Sequence, residues 1–246
     1  MRRQNVWLKV LLISNVISLV LLTILSLHYK VPQKIINKLR FIKMESPISG
    51  YTYLNYRQTA IHSLVNGNDG FEIVMLGDSI TEWANWNELL NRVDVANFGI
   101  GGDTTTYLLY RLFDIYLAKP KKCFIMIGIN DIRSNDTIEN IFKNYKTIIE
   151  EIKEQNIEVL IQSTLYISEK ALKFNLINNN LEIINSRVKD LNELLKDYCI
   201  GNKITYLDIN AIMSKNEKPD EQNTSDGIHL NKNGYEKWKK IIMEYI

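Results

Sequence analysis

The sequence predicts an α/β domain, a three-layer, flavodoxin-like doubly wound sheet of about five parallel strands, preceded by an N-terminal transmembrane helix. Three observations carry this. From residue 71 onward, short apolar runs alternate with amphipathic stretches of helical period, the pattern of a parallel sheet covered on both faces. Polar, often glycine-bearing strings follow several of those runs, where open α/β sheets place their chemistry. Residues 10–27 contain no charged side chain.

The N-terminal element comes first. At 1.5 Å per residue the uncharged stretch is about 27 Å long, close to the thickness of a hydrocarbon core. Arg2 and Arg3 precede it, Trp7 and Tyr29 stand where interfacial aromatics belong, and Lys30 follows. The stretch is long and no A-x-A-like cleavage site follows it, so an uncleaved anchor over residues 1–30 is expected rather than a removed signal peptide. Residues 31–49 read as a basic amphipathic linker, with Ile35, Ile36, Leu39 and Ile42 interleaved with Lys34, Lys38, Arg40 and Lys43. Such a pattern suits a helix lying on an anionic membrane surface.

Residues 50–246 form the folded domain, long enough for one core of about 200 residues. A helix is expected over 51–66, with Gly67-Asn68-Asp69-Gly70 as a turn. Strand candidates are 71–76, 93–97, 123–127, 157–162 and 204–207. Helix candidates are 104–117, 137–155, 181–198 and 232–245. Asp136 is the expected N-cap of the second of these, with Glu139 as its capping-box partner. Strand order is not readable from the sequence.

Composition excludes several partners. Net charge is +2, and no basic stripe interleaved with aromatics occurs, so no nucleic acid is expected. The two cysteines, Cys123 and Cys199, fall in a buried strand and near a helix end and read as free thiols. No cluster of Cys and His has metal-ligand spacing, so neither metal nor cofactor is expected.

The string Gly77-Asp78-Ser79-Ile80-Thr81 follows the first strand. A serine there needs a base, an orienting acid and an oxyanion site. Of the three histidines, His28 ends the uncharged stretch and His62 precedes the first strand, leaving His229 for the carboxyl edge of the sheet. Asp226, three residues earlier, can turn its carboxylate onto that imidazole. Taken alone, Asp-Gly-Ile-His is also an ordinary surface turn. The segment 97–104, Asn-Phe-Gly-Ile-Gly-Gly-Asp-Thr, closes the second strand and permits close backbone approach, but matches neither a Walker loop nor GxGxxG. Gly128-Ile129-Asn130-Asp131 ends the third strand, and the Asn130 amide can donate to a developing oxyanion.

In this order the four strings resemble the GDSL/SGNH hydrolase family, over roughly residues 70 to 246. Ile80 stands where that family's first block has Leu. The wording is closest to the branch holding platelet-activating-factor acetylhydrolase-like and lysophospholipase-like esterases and bacterial carbohydrate acetylesterases. The resemblance implies Ser79 as nucleophile, with its own N–H as first oxyanion donor, Gly102 as second and Asn130 as third. Asp226 and His229 complete the triad. Gly101 is an alternative to Gly102, which the alignment through Gly-Asp-Thr favours.

The implied reaction is two-step acyl transfer from an ester, without metal. Asp78 is expected to brace the turn, with substrate contact as the alternative, and Asp131 to bond neighbouring loops. Trp83 and Trp86 form either a substrate-lining wall or helix packing, and Tyr107 and Tyr110 are equally open. The segment 164–173 follows the fourth strand on this side. Three activities are expected to compete: a carbohydrate O-acetylesterase at the cell surface, a lysophospholipase or thioesterase acting on lipids, and an acyltransferase or idle binding module. The basic residues after the span place the domain in the cytoplasm on charge alone. The short basic tail resembles that of secreted, membrane-tethered hydrolases, and an extracytoplasmic domain is the expectation.

Overall fold

In the computed structural model, residues 50–66, 70–177, 181–215 and 218–246 are described, all within the unit Ile48–Ile246. The expected span and linker lie outside them. Among the described residues no helix is long and apolar enough to cross a membrane.

The elements run α1 (Gly50–Asn66), β1 (Ile73–Gly77), α2 (Ser79–Glu82), α3 (Trp86–Leu90), β2 (Val95–Gly99), α4 (Thr105–Tyr110), α5 (Leu112–Ala118), β3 (Lys122–Met126), α6 (Ile129–Arg133), α7 (Ile138–Lys153) and β4 (Glu158–Gln162). Then follow α8 (Lys170–Lys173), α9 (Leu181–Gly201), β5 (Thr205–Leu207), α10 (Ile209–Met213), the short ribbon β6 (Ser214–Lys215) and β7 (Lys218–Pro219), a 3₁₀ turn (Glu221–Asn223) and α11 (Lys232–Ile242).

The five main strands are all parallel, in the order β2-β1-β3-β4-β5. This is the flavodoxin-like order. Strand β1 is fully buried because helices cover both faces, which is why its sequence is a continuous apolar run. The register aligns Gly77 with Gly99 on one side and Met126 on the other. The carboxyl ends of β1, β2 and β3 therefore finish together, and the strings that follow them emerge at one edge.

Helix α7 shows how the layers attach. Its buried residues Ile141, Tyr145, Ile148, Ile149 and Ile152 recur at the spacing of one helix face. The Tyr145 hydroxyl satisfies the Ile127 backbone, donating to its carbonyl at 2.8 Å and accepting from its N–H at 3.0 Å. Elsewhere Trp86, Trp238 and Tyr235 join α3 to α11, with the Trp86 and Trp238 rings edge to face at 4.9 Å.

Two local expectations need correction. The helix expected over 104–117 is two helices broken at Arg111, whose guanidinium turns inward. It donates to the Asp103 carboxylate at 2.7 Å, the Phe98 carbonyl at 2.8 Å and the Gly77 carbonyl at 3.0 Å. These bonds tie the ends of β1 and β2 to the glycine loop, and they outweigh continuing one helix. The cap of α7 is Thr137, whose hydroxyl accepts from Asn140 N–H, while the Asp136 carboxylate accepts from Thr137 N–H and the Asn140 side chain. Cys123 and Cys199 are both free and buried.

Candidate active site

Ser79 opens a single helical turn directly after β1. Asp78 caps that turn, its Oδ1 accepting from Ile80 N–H at 2.9 Å. The Tyr235 hydroxyl donates to the Ile80 carbonyl at 2.7 Å, so α11 braces the same turn from the far side. Ser79 is thereby held at the sheet edge with its hydroxyl facing the loop before α11.

That loop carries His229 and Asp226. Ser79 Oγ lies 2.9 Å from His229 Nε2, and His229 Nδ1 lies 2.7 Å from Asp226 Oδ2. The other carboxylate oxygen of Asp226 accepts from the backbone N–H of Ile228 and His229 at 2.9 and 2.8 Å. The tautomer with hydrogen on Nδ1 satisfies both neighbours, leaving Nε2 to accept from the serine. Burial raises the Asp226 pKa, but the bonds from the His229 ring and backbone and from Ile228 N–H outweigh it and hold the carboxyl below its usual range.

The loop is itself clamped. Gly227 has φ of +98°, and a Cβ there would stand 2.2 Å from Ala171 N. Ser168 N–H donates to the Gly227 carbonyl at 2.9 Å, and Lys170 Nζ donates to the carbonyls of Glu221 and Thr224 at 2.6 and 3.1 Å. The segment after β4 thus sets the position of the Asp226–His229 loop.

The expected oxyanion donors differ in what they already bind. Gly101 N–H is taken by the Glu82 carboxylate at 2.6 Å, whereas Gly102 N–H and Ser79 N–H meet no protein acceptor among the described residues. Gly102 has φ of +77°, and nothing lies within 4 Å of a Cβ built on it, so open space adjoins that amide. Asn130 Nδ2 gives one hydrogen to the Asp103 carbonyl at 2.9 Å, and its Oδ1 accepts from Arg133 at 3.2 Å. The amide is oriented from both ends, with a second hydrogen left over. Beneath it Asp131 binds the next loop, accepting from Thr105 N–H at 2.9 Å and from its hydroxyl at 2.5 Å.

Asp78, one of the residues considered for substrate contact, is only 1% exposed. Burial, together with the nearby Asp103 and Asp131 carboxyls and against the Ile80 N–H bond, pushes it up to about 7. The two tryptophans divide. Trp86 is packing, with Nε1 donating to the Thr81 carbonyl at 2.9 Å. Trp83 is 55% exposed and stacks on the His229 ring, with centroids 3.9 Å apart and planes 21° apart. Tyr107 is 42% exposed and Tyr110 partly buried. His62 stands apart from this group and pairs with Asp114 at 3.0 Å.

Sequence reasoning missed Arg111, Arg133, Tyr235 and the partner of Trp83. The spacing of four between Ser79 and Trp83 was the available signal, since it places both on one side of a helical turn. Among the described residues no group of three or more His, Cys, Asp and Glu is arranged to hold a metal.

Residues 75–237 match the family model of the GDSL-like Lipase/Acylhydrolase family. N-acylneuraminate cytidylyltransferase of Streptococcus agalactiae serotype V is 28% identical over 134 residues, covering 54% of this chain and 30% of that protein. Platelet-activating factor acetylhydrolase IB subunit alpha1 of Bos taurus is 32% identical over 90 residues, 34% of this chain and 38% of that one. The matches span only about a third of the length of these relatives, at 30% and 38%. A GDSL-like lipase from Bacteroides thetaiotaomicron has a similar fold, with a TM-score of 0.65 at 22% identity, covering 76% of this chain and 95% of the other.

Proposed function

The chain belongs to the GDSL-like lipase/acylhydrolase family and is a hydrolase of ester bonds, and on that premise we propose that it is a serine esterase removing acetyl groups from carbohydrate at the cell surface. Ser79 is the nucleophile, His229 the base and Asp226 the acid that orients it. Ser79 N–H, Gly102 N–H and the Asn130 amide hold the oxyanion.

The observation that carries this reading is the line from Ser79 Oγ through the imidazole to Asp226, with contacts of 2.9 and 2.7 Å. Ser79 Oγ attacks the ester carbonyl while its proton passes to His229 Nε2. The C=O electrons move onto oxygen, where the three donors meet them. Each such donor contributes on the order of 3 kcal/mol in the transition state. Collapse expels the alcohol, which takes the proton from Nε2. A water then repeats the cycle on the acyl-serine, and His229 returns the proton to Ser79. The glycine choice is supported by the bond from Gly101 N–H to Glu82, which leaves Gly102 N–H unspent.

Acetyl and sugar are supported by the names of the two sequence relatives, an acetylhydrolase and an enzyme of N-acylneuraminate. Tethering is supported by the uncharged residues 10–27, and an extracytoplasmic domain by the short basic tail, which resembles that of secreted, membrane-tethered hydrolases. The test uses the full chain in detergent against acetylated oligosaccharides, lysophospholipids and p-nitrophenyl acetate, beside Ser79→Ala. Acetate release from the glycans, without fatty acid release, is expected. The reverse would make the enzyme a lipid esterase. A Ser79→Ala protein with full p-nitrophenyl acetate hydrolysis would remove the serine mechanism.

A further inference from the structure

We propose that Trp83 is a positioning residue for the general base, acting through the face of the His229 imidazole. This rests on the assignment of His229 as that base. Ser79 and Trp83 lie four residues apart on one turn, and Trp83 N–H donates to the Ser79 carbonyl at 3.1 Å. The turn that presents the nucleophile therefore also presents the indole. From there the indole reaches across to the loop before α11 and lies on the imidazole, 3.9 Å between centroids at 21°. The imidazole is held on two edges, by Ser79 Oγ and Asp226 Oδ2, and on one face by Trp83.

Two effects follow from an aromatic ring at that face. The stack opposes rotation of the imidazole out of the line between its two partners, since any such turn would lose the ring contact. It also acts differently on the two protonation states. Against neutral imidazole the indole offers dispersion alone. Against the imidazolium formed when Nε2 takes the serine proton, it adds the attraction of a cation for the negative face of a π system. An interaction that strengthens only as the proton moves lowers the barrier rather than the substrate dissociation constant. The imidazolium forms in both acylation and deacylation, so both steps gain.

Exposure of 55% makes Trp83 a poor core residue. Its neighbour in the same segment, Trp86, is the one buried at 2% and edge to face with Trp238. Packing is thus assigned to Trp86, while among the described residues the Trp83 ring stacks on His229.

The test compares Trp83→Leu, Trp83→Phe and His229→Ala with the unsubstituted full chain on p-nitrophenyl acetate, a substrate too small to need an extended aromatic wall. In Trp83→Leu, kcat and kcat/KM are expected to fall together by about three- to thirtyfold with KM unchanged, the range spanned by an exposed to a desolvated cation–π contact. Trp83→Phe, which restores a ring, is expected to recover most of the loss. A Trp83→Leu protein with raised KM and normal kcat would overturn the proposal and make the indole a substrate platform. Unchanged kinetics, or a Phe variant as slow as Leu, would also overturn it. The His229→Ala arm separates the two claims. If it is inactive while Trp83→Leu is normal, only the stacking role fails; if it retains activity, the base assignment fails.

Discussion

Replacing Asp78 with Asn is expected to stabilise the protein above neutral pH, although Asp78 stands beside the nucleophile. Its Oδ1 caps the turn through Ile80 N–H, a bond that the amide oxygen of Asn can also accept. Its Oδ2 is buried and bonds to nothing among the described residues. Burial first, then the nearby Asp103 and Asp131 carboxyls, push the group from 3.8 to about 7, with the Ile80 N–H bond opposing. Between those two values the unfolded chain has released this proton while the folded chain keeps it. The folded state therefore binds more protons, and stability falls as pH rises through the window. Below the unfolded value the group contributes nothing to the slope, and above about 7 the loss levels off.

A shift of about 3 units at about 1.4 kcal/mol each comes to about 4 kcal/mol at the plateau. At about pH 5 only about 1.5 kcal/mol of that has developed. Asn cannot ionise and lacks this term. Urea unfolding of both proteins at about pH 5, 6, 7 and 8 should show the variant gaining on the parent by roughly 2 to 3 kcal/mol across the series and flattening at the top. Any constant offset from the amide itself cancels in that comparison. A stability difference that does not change with pH, or one that moves against Asn as pH rises, would refute the account of Asp78 as a carboxyl held neutral by burial.

Gly227→Ala places a Cβ 2.2 Å from Ala171 N at a backbone φ of +98°, so the Asp226–His229 loop must shift. On p-nitrophenyl acetate kcat/KM should fall by about 100-fold, the cost of misplacing a catalytic group by about 1 Å, and an unchanged rate would mean that the loop tolerates movement. Arg111→Met leaves the Asp103 carboxylate buried without its guanidinium partner and takes one donor from each of the Gly77 and Phe98 carbonyls. A loss of about 3 to 5 kcal/mol in urea unfolding is expected, relieved in part when Asp103 is replaced by Leu in the same chain.

Much of the fold was legible because its sheet is parallel and covered on both faces. Strands of that kind are apolar on both faces, and the runs at 73–76 and 123–127 carry that signal. The helix boundary at Arg111 was illegible for a corresponding reason. A guanidinium in an amphipathic stretch reads as a solvent-facing residue, and only the carbonyl ends of β1 and β2, with Asp103, turn it inward. The cap at Thr137 was misread because Asp136 and Thr137 are both good caps in adjacent positions, and the chain path into α7 decides which one stands at the helix start.

The candidate site divides the same way. Local strings named Ser79, Asp226 and His229, since an unusual serine turn and one well-placed histidine are short-range signals. The sequence favours Gly102 over Gly101 only through the match at Gly-Asp-Thr, because each glycine amide is equally capable of donating. The Glu82 carboxylate, 19 residues away in sequence, accepts from Gly101 N–H, which supports the proposal of Gly102. The tryptophans were likewise equivalent as letters. One is buried against α11 and the other lies on an imidazole 146 positions further along the chain, as the numbers of Trp83 and His229 give. Composition, period and short strings thus indicated the fold class and the residues proposed for the chemistry, because those depend on side chains near one another in the chain. Which glycine N–H bonds to Glu82, which indole meets the His229 ring and which carboxyl loses its water were decided by tertiary structure alone. Each depends on a neighbour brought from a distant segment by the closing of the sheet edge.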